Sequence, residues 1–103
     1  MMDLIQLKVG MSATVTKTFQ SEDIERFAEI SGDFNPIHMD EEYINNSRYR
    51  NRVVHGFAAV SLFSGIFGMR LPGPGCLFVS HKLEFKRPIY LGENVEAIAV
   101  IRK

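Results

Sequence analysis

The chain has 103 residues, the size of one ordinary domain, which leaves no room for two independently folded catalytic domains. Hydrophobic residues make up 46% and charged residues 23%, a globular rather than a disordered composition. Lys+Arg and Asp+Glu both count 12, and the formal net charge of zero argues against a nucleic-acid binder, which would carry a basic surplus.

The only cysteine, Cys76, excludes an intramolecular disulfide and a Cys-rich zinc site. That usage fits a reducing, cytoplasmic compartment. The opening MMDLIQLKVG has no basic segment followed by an apolar core, so no signal peptide is expected. The longest mostly apolar stretch, Val53–Leu71, contains His55, Ser61, Ser64 and Arg70. It is too polar to span a bilayer and reads as a buried core helix. A chain of this length buries only roughly 60–70% of its unfolded surface, so a dimer interface would add stability.

In chain order, Met11–Phe19 alternates and carries Val and Thr, which predicts a strand. Ser21 then reads as an N-cap, with Glu22 and Asp23 in a first turn where the helix dipole favours acids. Ile24, Phe27, Ala28 and Ile30 form the apolar side of that helix, and Gly32 stops it. Asp33–His38 cannot be helical throughout, because Pro36 pushes Asn35 towards extended geometry. A short helix follows, with Asp40 as cap and Glu41–Asn45 as body. Ser47–Arg52 is a basic connector.

From Gly56 the sequence is apolar on nearly every face, which predicts a helix buried on most sides. Pro72, Gly73, Pro74 and Gly75 end it. In Cys76–Arg87, Leu77, Val79, His81, Leu83 and Phe85 alternate with Phe78, Ser80, Lys82, Glu84 and Lys86, the pattern of a half-buried strand. Leu91–Asn94 reads as a turn and Val95–Ile101 as a further strand. A sheet wrapped around one central helix is the economical way to bury that helix.

Chemistry concentrates in two segments. SGDFNPIH, Ser31–His38, places a carboxylate and an imidazole five residues apart. On a helix they would point about 140° apart, but a loop containing Pro36 can turn both towards one cavity. Asp33 and His38 together are standard acid–base equipment, and Asn35 can hold the carboxylate or a turn. A blander reading makes Asp33 and Asn35 an Asx turn and His38 a surface residue. A metal reading would use Asp33, His38 and Asp40, but their spacing matches no recognised ligand pattern.

The second segment is Val53-Val54-His55-Gly56. Gly56 offers a bare N–H at a helix N-terminus, suited to a developing negative charge, or it simply lets the helix pack closely. His55 reads as a structural residue near the cap. Ser64 either faces a pocket or bonds back to the preceding turn. His81 reads as a core histidine and Cys76 as an inert thiol. Arg48, Arg50 and Arg52, joined by Lys82, Lys86 and Arg87, form either a solvated face or a seat for phosphates.

The runs FAEISGDFNPIH, Val54-His55-Gly56, SLFSGIFGMRLPGPG and LEFKRPIYLG occur in that order. Together, over about residues 6–103, they resemble the MaoC-like dehydratases, and within them the short (R)-specific enoyl-CoA hydratases. The resemblance implies an α+β hot-dog fold in one domain over 1–103, a curved antiparallel sheet around a long central helix. It implies reversible hydration of trans-2-enoyl-CoA to (R)-3-hydroxyacyl-CoA by a homodimer or higher homo-oligomer. Asp33 and His38 would be the catalytic dyad. Gly56 would bind the thioester oxygen, and Ser64 and Asn35 would shape the site. The CoA thioester is the substrate, and no metal or organic cofactor is implied. Two features depart from the family pattern: Ile44 stands where a small residue is usual, and the pattern continues for about two further strands, so a C-terminally short domain is expected. The alternatives are a non-catalytic module binding acyl-CoA or a partner, and an acyl-thioester hydrolase.

Overall fold

The computed structural model describes residues 6–103. Met1–Ile5, which opens the stretch where no signal peptide is expected, lies outside the described residues. The elements are β1 (Ser12–Thr18), α1 (Ser21–Ser31), α2 (Pro36–Met39), α3 (Glu41–Asn45), α4 (Gly56–Met69) and β2 (Asn94–Val100). No helix among the described residues is long and apolar enough to cross a membrane. The chain divides into two compact units. One holds the described part of Met1–Thr16, Val60–Glu84 and Glu96–Lys103; the other holds Lys17–Ala59 and Phe85–Val95.

In the first unit, β1 and β2 pair as an antiparallel two-stranded sheet. Ile101 N–H donates to Met11 O at 2.9 Å, and Gly10 N–H donates to Ile101 O at 2.8 Å. Strand alternation sorts the side chains: Ala13, Val15, Ala97 and Ala99 face the core, while Ile98 and Val100 point outward. Leu62, Phe63, Ile66 and Phe67 of α4, spaced at helical intervals, pack on that inner face with Leu71.

Two corrections follow from this narrow sheet. The helix predicted to be buried on most sides is α4, yet Phe57, Ser61, Ser64 and Met69 are exposed and only Ala58 and Ile66 are fully buried. Two strands about 4.8 Å apart can cover only one stripe of a helix about 10 Å across. The strand expected over Cys76–Arg87 does not form. Leu77 is 86% and Val79 96% exposed, and His81 is exposed rather than a core histidine. Period-two alternation selects a strand only when a neighbouring backbone can take its N–H and C=O groups, and here β1 and β2 take each other.

The second unit is built around Arg52–Val54. Val53 N–H donates to Ile37 O at 2.9 Å, Val54 N–H to Ile89 O at 2.7 Å, and Leu91 N–H to Arg52 O at 2.9 Å. Phe19, Ile24, Ala28, Ile44, Val53 and Val54 are buried in this unit. Ile44, the departure from the family pattern, is therefore a core residue. In α1, Ile24 and Ala28 are buried, but Ile30 is exposed, because six residues beyond Ile24 the helix has turned most of the way to its far side. The cap of α1 is Gln20 rather than Ser21. Asp23 accepts the Gln20 N–H at 2.8 Å, and that bond holds its carboxyl below the usual carboxylate range. The predicted Asp40 cap of α3 is present, its carboxylate accepting the Glu42 and Tyr43 N–H groups.

Candidate active site

The site grows from the end of α1. Gly32 ends the helix at φ +78, with its N–H on Ala28 O at 2.8 Å. The next three residues turn on side-chain oxygens. Ser31 Oγ accepts the Asp33 N–H at 3.1 Å, Asp33 Oδ1 accepts the Asn35 N–H at 3.1 Å, and Asn35 Oδ1 accepts the Ile37 N–H at 3.2 Å. Pro36 then starts α2, where its missing N–H costs nothing. Asn35 is thus a cap and a turn, and it does not hold the carboxylate with its side-chain amide.

That series of turns brings Asp33 and His38 face to face. His38 Nδ1 donates to Val53 O at 2.6 Å, since a carbonyl oxygen can only accept. The hydrogen on Nδ1 leaves the lone pair of the neutral ring on Nε2, which lies 3.5 Å from Asp33 Oδ2. The His38 side chain is 8% exposed and that of Asp33 47%. Burial pushes the His38 imidazole below its ordinary pKa of 6.5, and the nearby His55 pushes the same way. The Val53 carbonyl and Asp33 pull the other way, and burial prevails. The neutral ring and the carboxylate are then two acceptors facing one gap, one buried and one open to solvent. A water there can donate one hydrogen to each. The Asx turn of the blander reading is real, but it accompanies a buried His38 rather than a surface one.

Gly56 opens α4, and its N–H has no acceptor among the described residues. A Cβ at this position would lie 2.8 Å from Phe85 Cε1, so any larger residue would have to displace that ring. The close-packing reading of Gly56 is thus what the geometry bears on directly. Ser64 is exposed on α4 in the first unit, and its assignment rests on the resemblance alone.

The basic cluster separates. Arg48 and Arg50 stay at the surface, with guanidinium groups 5.0 Å and 4.4 Å from the ring centroids of Tyr49 and Tyr90. Lys86 and Arg87 are exposed. Arg52 is the correction: it is buried, with Nε on His38 O at 2.6 Å and Nη1 on Ser21 Oγ at 3.0 Å. It braces α2 against α1 rather than facing phosphates. No local pattern could reveal this, because its partners lie 14 and 31 residues away. Arg52→Met keeps the apolar stem and leaves the His38 carbonyl unpaired. It should lower stability by about 1–3 kcal/mol, read from the urea midpoint; an unchanged midpoint would contradict the brace.

The other unforeseen contact is His55. Asp33, His38 and His55 offer ligand atoms within 4.8 Å of one another. The His38 and His55 rings, however, are stacked, centroids 3.9 Å apart and planes 25° off parallel. Imidazole lone pairs lie in the ring plane, so two stacked rings do not aim at one cation. Asp40, the third member of the other metal reading, caps α3 with its carboxylate.

The antiparallel sheet with its long helix is a hot-dog fold, and a carboxylate–imidazole pair precedes that helix in the chain. The family described as MaoC like domain matches residues 5–103, and the chain belongs to that family. It is 38% identical over 95 residues to an (R)-specific enoyl-CoA hydratase of Rhodospirillum rubrum, covering 92% of this chain and 66% of that protein. It is 41% identical over 98 residues to a mitochondrial 3-hydroxyacyl-[acyl-carrier-protein] dehydratase of Arabidopsis thaliana, covering 91% of this chain and 58% of that protein. The solved structure of an (R)-hydratase from A. caviae superposes with a TM-score of 0.92 at 36% identity, covering 94% of this chain and 74% of that one. The chain thus spans about two thirds or less of the length of these two curated relatives.

Proposed function

We propose that this chain is a hydro-lyase that adds water reversibly to a trans-2-enoyl thioester, giving the (R)-3-hydroxyacyl thioester. The observation that carries the reading is the approach of Asp33 Oδ2 and His38 Nε2 to 3.5 Å, two acceptors sharing one gap. In that gap the pair orients a water and removes one of its protons as the oxygen bonds to C3. The C2–C3 π electrons move into the conjugated thioester, so negative charge collects on its oxygen. The Gly56 N–H, at the positive end of α4, binds that oxygen. The pair then returns one proton to C2. Water is added without net oxidation or reduction, so the reaction needs no redox cofactor. Asp33 and His38 act as a coupled unit, and the two proton steps belong to the pair.

The relatives act on CoA and on acyl-carrier-protein thioesters by their names. We favour CoA for this chain, with Arg48, Arg50, Lys86 and Arg87 as the candidate seat for its phosphates, and Ser64 as a pocket residue. A homodimer or higher homo-oligomer in the cytoplasm completes the proposal; the narrow sheet and exposed α4 favour a further covering surface.

The test is incubation of the chain with a short trans-2-enoyl-CoA, following loss of the conjugated double bond and the configuration of the product. Formation of the (R)-3-hydroxyacyl-CoA supports the proposal. Release of free thiol would instead identify a thioester hydrolase. Tight acyl-CoA binding without turnover would identify a binding module.

A further inference from the structure

We propose that His55 is a positioning residue for the Asp33–His38 pair, one buried ring that holds the carboxylate loop and the reactive imidazole at a set separation. The inference rests on the hydratase reading for its kinetic consequence, but its structural part stands independently.

Three contacts carry it. His55 Nε2 lies 2.9 Å from Asp33 O, so Nε2 bears the hydrogen and donates to that carbonyl. The His55 ring stacks on His38 with centroids 3.9 Å apart. It also meets Phe27 of α1, ring centroids 4.9 Å apart and planes tilted by 53°. His55 is 2% exposed, and with Nε2 engaged its Nδ1 has no hydrogen-bond partner among the described residues. A buried unpaired nitrogen has a desolvation cost that an apolar ring would not have. A purely structural filler at this position would therefore be better as Phe or Leu. What imidazole adds is a flat ring of the size of His38 together with an N–H on the Asp33 backbone.

The consequence is geometric. Asp33 sits on a three-residue turn built from short side chains and is nearly half exposed. Its carboxylate can hold station opposite His38 only if its backbone is anchored; Ser31 Oγ holds the Asp33 N–H, and the His55 N–H holds the Asp33 carbonyl. His38 is anchored separately, by Val53 O on Nδ1 and by Arg52 on its carbonyl. Stacking also fixes the tilt of the His38 ring, and so the direction of its Nε2 lone pair. Because His55 immediately precedes Gly56, the same residue sets the pair in register with the first N–H of α4.

Two variants separate the ring from the N–H. His55→Phe keeps the stack and removes the donor; His55→Gln keeps a donor and removes the stack. The full chain is measured in each form for turnover of a short trans-2-enoyl-CoA and by long-range proton–nitrogen NMR of the imidazoles. The expected result is a loss of kcat of about tenfold to a hundredfold in both variants, with KM changed less than about threefold. The His38 titration midpoint, set by burial first and by the facing Val53 carbonyl, His55 and Asp33, should move while the far-ultraviolet dichroism does not. Unchanged kcat and an unchanged His38 titration in folded variants would overturn the proposal. The wild-type spectrum provides a test that needs no variant to fold: a His55 ring with its hydrogen on Nδ1 and a bare Nε2 would also overturn it. If the wild-type chain shows no hydration at all, the hydratase reading fails, and the NMR results still decide whether His55 holds the pair.

Discussion

Asp33→Asn should abolish most hydratase turnover while leaving the fold intact. The substitution keeps an acceptor oxygen for the Asn35 N–H, so the turn into α2 survives. With that oxygen on Asn35, the group facing His38 becomes an amide N–H, which donates to Nε2 and fills the gap. General-base groups commonly contribute about 10²–10⁴-fold, and a loss in that range is expected in kcat. The side chain is nearly half exposed, so stability should change by less than about 1 kcal/mol. Normal turnover in a folded Asp33→Asn chain would remove Asp33 from the mechanism.

The second large effect concerns His38 and pH. His38→Ala should also reduce kcat by about 10²–10⁴-fold, and it removes the side chain whose ionisation shapes the acid limb. In the wild type that limb should fall below pH 6.5, because burial holds the His38 pKa below that ordinary value. The sign for stability follows from the same shift. The unfolded chain takes up the His38 proton first as pH falls, so the contribution of the neutral buried ring is full above pH 6.5. It is lost as pH falls from there through the lower folded value. A kcat/KM profile whose acid limb sits above 6.5 would show that His38 is not the buried neutral base described here. Urea midpoints measured across the same range check the stability half of the prediction, and they require no substrate.

Local features were legible from the residues alone where the causes are local. The Gly32 stop, the turn before Pro36, the Asp40 cap and the start of the long helix at Gly56 each depend on residues within one turn of one another. The turn that carries Asp33 and His38 belongs here too, while their separation is held by Val53, Arg52 and His55 from further along the chain. The family was equally readable, because its ordered motifs run through most of the chain.

Tertiary structure decided the rest. Cys76–Arg87 has the alternation of a strand, but alternation describes faces and says nothing about whether a neighbouring backbone is present to pair with. The apolar surface of α4 predicted burial, while burial itself depends on how many strands lie over it. Arg52 looked like part of a basic surface run, and His55 like a cap residue. Their roles depend on His38 O and Asp33 O, carbonyl groups 14 and 22 residues away. Backbone carbonyls carry no sequence identity, so which of them a buried guanidinium or imidazole meets is a consequence of packing alone.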